Sequence, residues 1–352
     1  MLYDFYKGKR VFVTGHTGFK GSWLCRALYL SGARVTGYAL APDTEPCLFS
    51  PSGLDSKIVS NICDIRNFEN LRECFDRARP EIVFHLAAQP IVKESYKNPR
   101  YTFETNVMGT VNLLECIRLS DCVRSFLNVT TDKVYENLDE DRSFIESDKL
   151  DGFDPYSNSK SCSELVTHSY LRSFLSDMGV AVSTARAGNV IGGGDFAPDR
   201  IIPDCVRAAM KKENIIIRNP YSVRPFQHVL ETVFVYLMIA KKQFENSSFA
   251  GGYNIGPDVE DCITTGELAD MFCEAWGEGI KWENVCTNGP HEAKLLRLDC
   301  TKIKNTFDWK PLWNIKKAVE KTVEFSKAFM EGEPVSDLMD IQIKDFAAGK
   351  GK

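Results

Sequence analysis

The 352-residue sequence predicts an α/β chain, a doubly wound parallel sheet covered by helices and followed by a smaller mixed C-terminal domain. Three observations carry that expectation. Short apolar runs of strand character alternate with amphipathic helical stretches through the first half of the chain. Three glycines spaced by three stand at the first strand-to-helix junction, in Thr14-Gly15-His16-Thr17-Gly18-Phe19-Lys20-Gly21. Beyond about residue 187 the simple alternation stops.

Residues 10–13 read as the first strand and 22–28 as the helix it feeds. The turn between them brings helix N-terminal N–H groups to the carboxyl edge of a buried sheet, where an anion is stabilised. Gly15 serves the tight turn, Gly18 the close approach of a pyrophosphate, and Gly21 the packing of helix on strand. That is the pattern of a Rossmann dinucleotide site. The second strand, 34–40, ends in Ala41-Pro42-Asp43. Its acid comes late and no arginine waits for a 2′-phosphate, so NAD is expected rather than NADP. The third strand, 58–65, places Asp64 either to meet an adenine edge or to cap the helix starting near Asn67. The fourth, 80–89, runs through Leu86 into Ala87 and Ala88, small residues against which a cofactor can lie. His85 follows directly on the apolar run and reads as packed rather than catalytic.

Residues 105–116 predict a long amphipathic helix, and 124–135 a fifth strand with a polar end at Thr131, Asp132 and Lys133. Doubly wound sheets bind ligands beyond such strand ends. An acidic, irregular stretch at 137–154 reads as an exposed loop. Tyr156-Ser157-Asn158-Ser159-Lys160 then opens a helix reaching about residue 175. Tyr156 and Lys160 share a helical face, and the ammonium is expected to lower the phenol's pKa and make it a general base. A strand at 180–186 ends at Ala187-Gly188-Asn189. Arg200 and Arg224 lie in loop-like or strand-edge surroundings, suited either to a diphosphate or to solvated surface charge, and Arg218 reads as surface. Residues 253–257 and 290–294 read as polar loops, 316–330 as an amphipathic helix, and 349–352 as a frayed end.

Composition limits the rest. With 43% apolar and 26% charged residues the chain is ordinarily globular. A net charge of −5 without a basic block argues against a nucleic-acid partner. The 12 cysteines are scattered, with neither a C-x-x-C pair nor zinc spacing, so no metal is expected and a reduced, cytoplasmic setting is. The opening residues are too short and too polar for a signal peptide, and no apolar run approaches membrane-spanning length.

The glycine turn, His85-Leu86-Ala87-Ala88, the hydroxyl before an acid at the fifth strand, and Tyr156-x-x-x-Lys160 together resemble the extended short-chain dehydrogenase/reductase superfamily. Within it, stretches 14–24, 129–137, 186–195, 224–231 and 291–295 resemble CDP-glucose 4,6-dehydratases, across roughly residues 7–330. Phe196 and Phe226 stand where tryptophans are usual, Val134 where a cysteine is, and the loop after Asn137 is shorter and more acidic.

The resemblance implies a hydro-lyase that oxidises a nucleotide sugar at C4′, eliminates water across C5′–C6′ and returns the hydride to C6′. CDP-glucose is the implied substrate, NAD the cofactor, and O-antigen-type deoxysugar synthesis the setting. Tyr156 would take the 4′-hydroxyl proton, Lys160 would lower the tyrosine pKa and hold the nicotinamide ribose, and Thr131 would bond near the 4′-oxygen. Asp132 and Lys133 would supply acid and base for elimination, Lys133 as a neutral amine. The implied cofactor set is Gly15, Thr17, Gly18, Phe19, Gly21, Asp64, Ile65, Leu86, Ala87, Ala88, Asn106, Tyr156, Lys160 and Ala187. The implied substrate set is Gln89, Asn189, Arg200, Arg224, Asn254 and Lys294. A dinucleotide-binding domain is expected over 1–187 plus about 226–252, and a nucleotide-sugar-binding domain over 188–225 and 253–352. A homodimer through the helix at 105–118 and the Tyr156 helix is implied. Three other readings remain, the first a 4,6-dehydratase acting on another nucleotide sugar. A nucleotide-sugar 4-epimerase shares Thr131, Tyr156 and Lys160 but does not need Asp132 and Lys133. A non-catalytic dinucleotide binder needs neither Tyr156 nor Lys160.

Overall fold

Val11, Phe12 and Val13 are at most 1% exposed, so both faces of this strand are covered. That is the environment of a central parallel strand between two helical layers. The computed structural model describes residues 2–138, 140–285 and 296–350. In chain order its strands begin with β1 Arg10–Thr14, β2 Arg34–Ala39, β3 Val59–Ile62, β4 Ile82–His85, β5 Ser125–Val129 and β6 Ala181–Ala187. They continue with β7 Val190–Ile191, β8 Ile215–Ile217, β9 Val223–Pro225, β10 Gln227–His228, β11 Gly252–Ile255, β12 Cys262–Thr264 and β13 Trp282–Asn284. The helices are α1 Leu2–Tyr6, α2 Phe19–Leu30, α3 Phe68–Ala78, α4 Val92–Lys97, α5 Pro99–Phe103, α6 Gly109–Arg118 and α7 Pro155–Tyr170. Then follow α8 Ile201–Lys211, α9 Val229–Glu245, α10 Thr265–Trp276, α11 Thr301–Phe307, α12 Ile315–Met330 and α13 Val335–Ala347.

Seven strands form one parallel sheet in the order β11-β6-β5-β4-β1-β2-β3. The order reverses between β1 and β4, which opens a crevice at their carboxyl ends. Register levels those ends. Thr14 pairs with His85, His85 with Asn128, and Val129 with Ala185. The turns after β1, β4, β5 and β6 therefore share one rim. On one face α2, α9 and α13 seal Trp23, Leu24, Val233 and Met339 against the sheet. On the other, α3, α6 and the segment following α7 bury Leu71, Phe75, Leu113, Ile117 and Leu175. A third core gathers Ile202, Phe226, Leu268, Phe272 and Val319 from α8, α10, α12 and the short strand pairs β7/β10, β8/β13 and β9/β12.

Several elements differ from expectation. Residues 253–255, within the stretch 253–257 read as loop, belong to the seventh strand of the sheet, because Tyr253 and Ile255 are buried against β6 and α11. The long helix at 105–116 begins with a π turn at Glu104–Met108 before α6. The fifth strand stops at Val129, and Asp132–Val134 is a single 3₁₀ turn capped by Thr131. The acidic loop is pinned rather than simply exposed. Phe144 is 5% exposed, and its ring stacks on Tyr135 at 4.9 Å. The helix α13 was not legible as a separate element.

Candidate active site

The glycine turn has the shape its spacing predicts. Gly15 takes φ +75°, and a Cβ there would stand 2.7 Å from the Ala87 amide nitrogen. A Cβ on Gly21 would meet the Gly15 carbonyl oxygen at 2.0 Å. Gly18 is different. It is exposed and has only that same oxygen nearby, at 3.5 Å, so its outer side is open. As N-cap of α2 it offers no side-chain acceptor, which leaves the first-turn N–H groups facing the crevice. Thr17 spends its hydroxyl on the Leu40 carbonyl at 2.8 Å and ties the turn to the end of β2. Phe19 packs towards Gly192.

Asp64 does not cap α3. Asn67 does, accepting from the Asn70 N–H. Asp64 grips the Arg66 guanidinium at 2.6 Å instead, and that contact holds its carboxyl below the usual range. Ile65 is buried against Gly109 at the start of α6. Leu86, Ala87 and Ala88 line the crevice half-buried, with the Leu86 and Ala87 N–H groups within 3.2 Å of the Thr14 hydroxyl. His85 is a packed histidine, bridged between Thr14 at 2.7 Å and Thr110 at 2.9 Å. Burial pushes its pKa down to about 3.

The rim after β5 carries the titratable groups. Thr131 donates to Asp132 Oδ1 at 3.0 Å. Asp132 is 1% exposed, and its Oδ2 has no hydrogen-bond partner. That oxygen lies over Gly188, where a Cβ would stand only 1.7 Å away. Burial raises the Asp132 pKa, while Lys133, the Thr131 hydrogen bond, Arg224 and Lys20 pull it back. Lys133 is half-buried beside it. Asp154 caps α7 by accepting from the Ser157 N–H, and so delivers Tyr156 and Lys160 to the same rim.

The expected lowering of the tyrosine by the lysine is not what the geometry gives. Burial pushes the Tyr156 phenol up to about 12, against the nearby Thr131 hydroxyl and the charge of Arg200. Lys160 donates to the Val129 carbonyl at 2.8 Å, and burial with the nearby Lys20 brings its own pKa down to about 7. An ammonium tied to a backbone oxygen does little for the phenol, which burial dominates.

Three predicted residues serve the scaffold rather than a ligand. Asn106 has its amide spent on the backbone of Gln89, at 2.8 and 3.1 Å, and on Ser159. Gln89 donates to Thr102 and accepts from the Ile91 N–H. Asn254, placed by sequence in a substrate loop, is fully buried in β11. It accepts from Tyr135 at 2.5 Å and donates to the carbonyls of Phe144 and Asp299. Lys294 lies outside the described residues. The others converge on the site. Ala187 ends β6, and Asn189 turns with φ 47°, a conformation unusual away from glycine. Arg200 binds Asp195 at 2.9 Å at the start of α8. Arg224 is 8% exposed in β9 and within electrostatic reach of Asp132.

Sequence reasoning missed Lys20, Asp195, Gly188 and Glu164. Glu164 lies one turn beyond Lys160 and is fully buried. It accepts from Thr130 at 2.6 Å, from Thr184 at 3.1 Å and from the Arg186 guanidinium, locking β5 and β6 to α7. Its signal was an acid four residues after the lysine on an inward helical face. Lys20 carried a signal too, since a cation in a helix's first turn opposes the dipole.

Comparison with known proteins gives a consistent picture. Residues 12–322 match the family model described as GDP-mannose 4,6 dehydratase. The chain is 44% identical to a CDP-glucose 4,6-dehydratase of Salmonella typhimurium over 97% of both chains. It is 27% identical to a probable dTDP-glucose 4,6-dehydratase of Sinorhizobium fredii, over 90% of this chain and 92% of that one. Among solved structures, an NAD complex of dTDP-glucose 4,6-dehydratase from Bacillus anthracis superposes with a TM-score of 0.78 at 22% identity, covering 93% and 100% of the two chains. An NAD complex of UDP-glucose 4-epimerase from Thermus thermophilus gives 0.78 at 24% identity, over 90% and 99%. At such identities these two report the fold.

Proposed function

The chain belongs to the GDP-mannose 4,6-dehydratase family, and from that premise we propose that it is an NAD-dependent lyase converting CDP-glucose to CDP-4-keto-6-deoxyglucose. The observation that carries this is the surplus chemistry beside the oxidation groups. Thr131, Tyr156 and Lys160 suffice for oxidation at C4′, yet buried Asp132, with an open carboxylate oxygen, and Lys133 share the rim. A 4-epimerase has no use for that pair.

The crevice fits a dinucleotide. The uncapped N-terminus of α2 and the bare face of Gly18 suit a pyrophosphate, and Gly15 lets the turn pack tightly against Ala87. Gly15, Thr17, Gly18, Phe19 and Gly21 would hold the phosphates, Asp64 and Ile65 the adenine end, and Leu86, Ala87, Ala88, Lys160 and Ala187 the nicotinamide half. When bound, NAD supplies the hydride acceptor for C4′ and the donor for C6′.

The chain's own groups do the rest. Tyr156 accepts the 4′-hydroxyl proton, with the Thr131 hydroxyl close beside the phenol. The phenol's raised pKa makes it a strong base once ionised, and Arg200 is the nearby charge that favours ionisation. The resulting C4′ ketone acidifies the C5′ proton. Asp132 and Lys133 divide the removal of that proton and the protonation of the departing 6′-hydroxyl. Asn189, Arg200 and Arg224 take the diphosphate. We read the sheet and its two helical layers as the dinucleotide-binding domain and the third core as the nucleotide-sugar-binding domain. We also read the enzyme as a cytoplasmic homodimer, supported by free thiols throughout the described residues and by Met108, Leu165 and Phe174, which stay exposed on and beside α6 and α7. Incubation with a panel of nucleotide-glucoses, scored for the 4-keto-6-deoxy chromophore in alkali, tests the reading. CDP-glucose should give the strongest signal, and no signal from any member would reject it.

A further inference from the structure

Tyr156, Lys160 and Glu164 follow one another at four-residue intervals along one face of α7. The first two serve the chemistry proposed above, and the third lies behind them, fully buried. Two hydroxyls and a guanidinium converge on its carboxylate. Thr130 donates to Oε1 at 2.6 Å and Thr184 to Oε2 at 3.1 Å. Arg186 sets Nε on Oε1 at 2.8 Å and Nη2 on Oε2. Such a fork is directional, so both carboxylate oxygens are fixed. The other arm of the guanidinium, Nη1, donates to the Tyr135 hydroxyl at 2.7 Å and to the Glu146 carbonyl at 2.9 Å.

Each partner stands close along the chain to a group of the site. Thr130 precedes Thr131 and Asp132. Arg186 precedes Ala187 and Gly188, the glycine beneath the Asp132 carboxyl. Tyr135 comes two residues after Lys133, and Glu146 belongs to the loop that leads to the Asp154 cap of α7. One ion pair thus joins the turn bearing Thr131, Asp132 and Lys133 to the helix bearing Tyr156 and Lys160. Ser161 ties the far end of that turn, donating to the Val134 carbonyl at 2.7 Å. Lys160 reaches Val129 as well, but its ammonium belongs to the chemistry. Stability alone does not call for the pair. A buried ion pair gains little over well-packed apolar side chains, because desolvation offsets the attraction. Direction is what apolar side chains would not supply.

We propose that Glu164, gripped by Arg186, is a positioning residue for the reaction, fixing where Thr131 and Asp132 stand relative to Tyr156 and Lys160. It acts through those groups rather than on the sugar. This rests on the dehydratase reading of the site.

The test replaces the pair by apolar side chains of similar length, Glu164→Met together with Arg186→Met, so that no buried charge is left alone. Urea unfolding should place this double variant near wild type. Its kcat for CDP-glucose dehydration should fall about 10²-fold with KM within about threefold, the effect of a displacement of about 1 Å. Amide exchange, read by mass spectrometry, should rise at least about tenfold over residues 129–134 and stay unchanged over β1. Glu164→Asp keeps the charge but draws the carboxyl back by about 1.5 Å. It should lose at least about tenfold in kcat, whereas a role as a charge near Lys160 would survive it. If the double variant does not fold, Glu164→Asp carries the same measurements. A folded double variant with kcat within about threefold of wild type overturns the proposal. So does unchanged exchange over 129–134, and so does full activity of Glu164→Asp. Failure of the wild-type protein to dehydrate any nucleotide sugar would reject the dehydratase reading instead, and the exchange comparison would still decide whether the pair positions the turn.

Discussion

Gly188→Ala offers a clean perturbation of the elimination machinery, because the added methyl has only one place to go. Its Cβ would stand 1.7 Å from Asp132 Oδ2 and 2.1 Å from Cγ, whereas ordinary contact begins at 3.4 Å. The two must separate by about 1.7 Å, and the carboxyl rather than the backbone just beyond β6 is the softer partner. A misplacement of 1 Å typically costs about 10²-fold in rate, so kcat for dehydration should fall at least that far. Nucleotide-sugar KM should change less than kcat, since Arg200 and Arg224 hold the diphosphate from the start of α8 and from β9. Overpacking a tight site should also cost about 1–3 kcal/mol of stability, read from urea unfolding. Gly193→Ala is the comparison. Its methyl would meet the Phe325 ring at 2.0 Å in the helical core, so it should lose stability yet keep far more of the rate. The assay is the alkaline chromophore of the 4-keto-6-deoxy product. A Gly188→Ala protein that folds and dehydrates within about threefold of wild type would refute the placement of Asp132 in the chemistry.

Tyr156→Phe should abolish turnover by at least about 10²-fold while nucleotide-sugar binding, measured by calorimetry, stays near wild type. Retention of more than about a tenth of the rate would remove the phenol from the base role. Arg200→Ala should raise KM about tenfold, because a diphosphate contact serves ground and transition states alike, with a smaller fall in kcat from the charge withdrawn from Tyr156; a loss confined to kcat would contradict that. Stability should fall as pH drops from about 6.5 towards 4. His16, His85 and His228 are held neutral by burial down to about pH 4, 3 and 3, so the unfolded chain takes up three protons that the native chain refuses. Glu231, raised to about 7 by burial, works in the opposite sense with one proton. These four groups together give about 2–3 kcal/mol per pH unit near pH 5, measurable by urea unfolding at pH 7 and 5. A flat profile across that interval would contradict the burial argument.

The sheet was legible because parallel strands covered on both faces read as continuous apolar runs, and because Gly15, Gly18 and Gly21 mark the first crossover. Thr131, Asp132, Tyr156 and Lys160 were legible from strand-end position and helical spacing. What failed did so for physical reasons. Asn254 looks like a loop residue in sequence, since Gly251, Gly252, Gly256 and Pro257 surround it. Only pairing with β6, which is distant along the chain, makes its segment a strand and its amide a structural clamp. Asn106 and Gln89 bear polar side chains near the crevice, but whether such a group faces a ligand or a neighbouring backbone depends on tertiary packing that spacing does not encode. The tyrosine–lysine pair was found by spacing, yet its electrostatics were misjudged. Spacing cannot show that Lys160 is bonded to the Val129 carbonyl or that burial outweighs its charge.

The central claim is that one site oxidises C4′, loses the 6′-hydroxyl and returns the same hydrogen to C6′. CDP-glucose deuterated at C4′ and converted in ordinary water tests this most directly. The account predicts a 4-keto-6-deoxy product carrying the deuterium at C6′, with the C5′ hydrogen drawn from solvent. Deuterium still at C4′ of a sugar that keeps its 6′-hydroxyl and has inverted C4′ would show an epimerase and contradict the account.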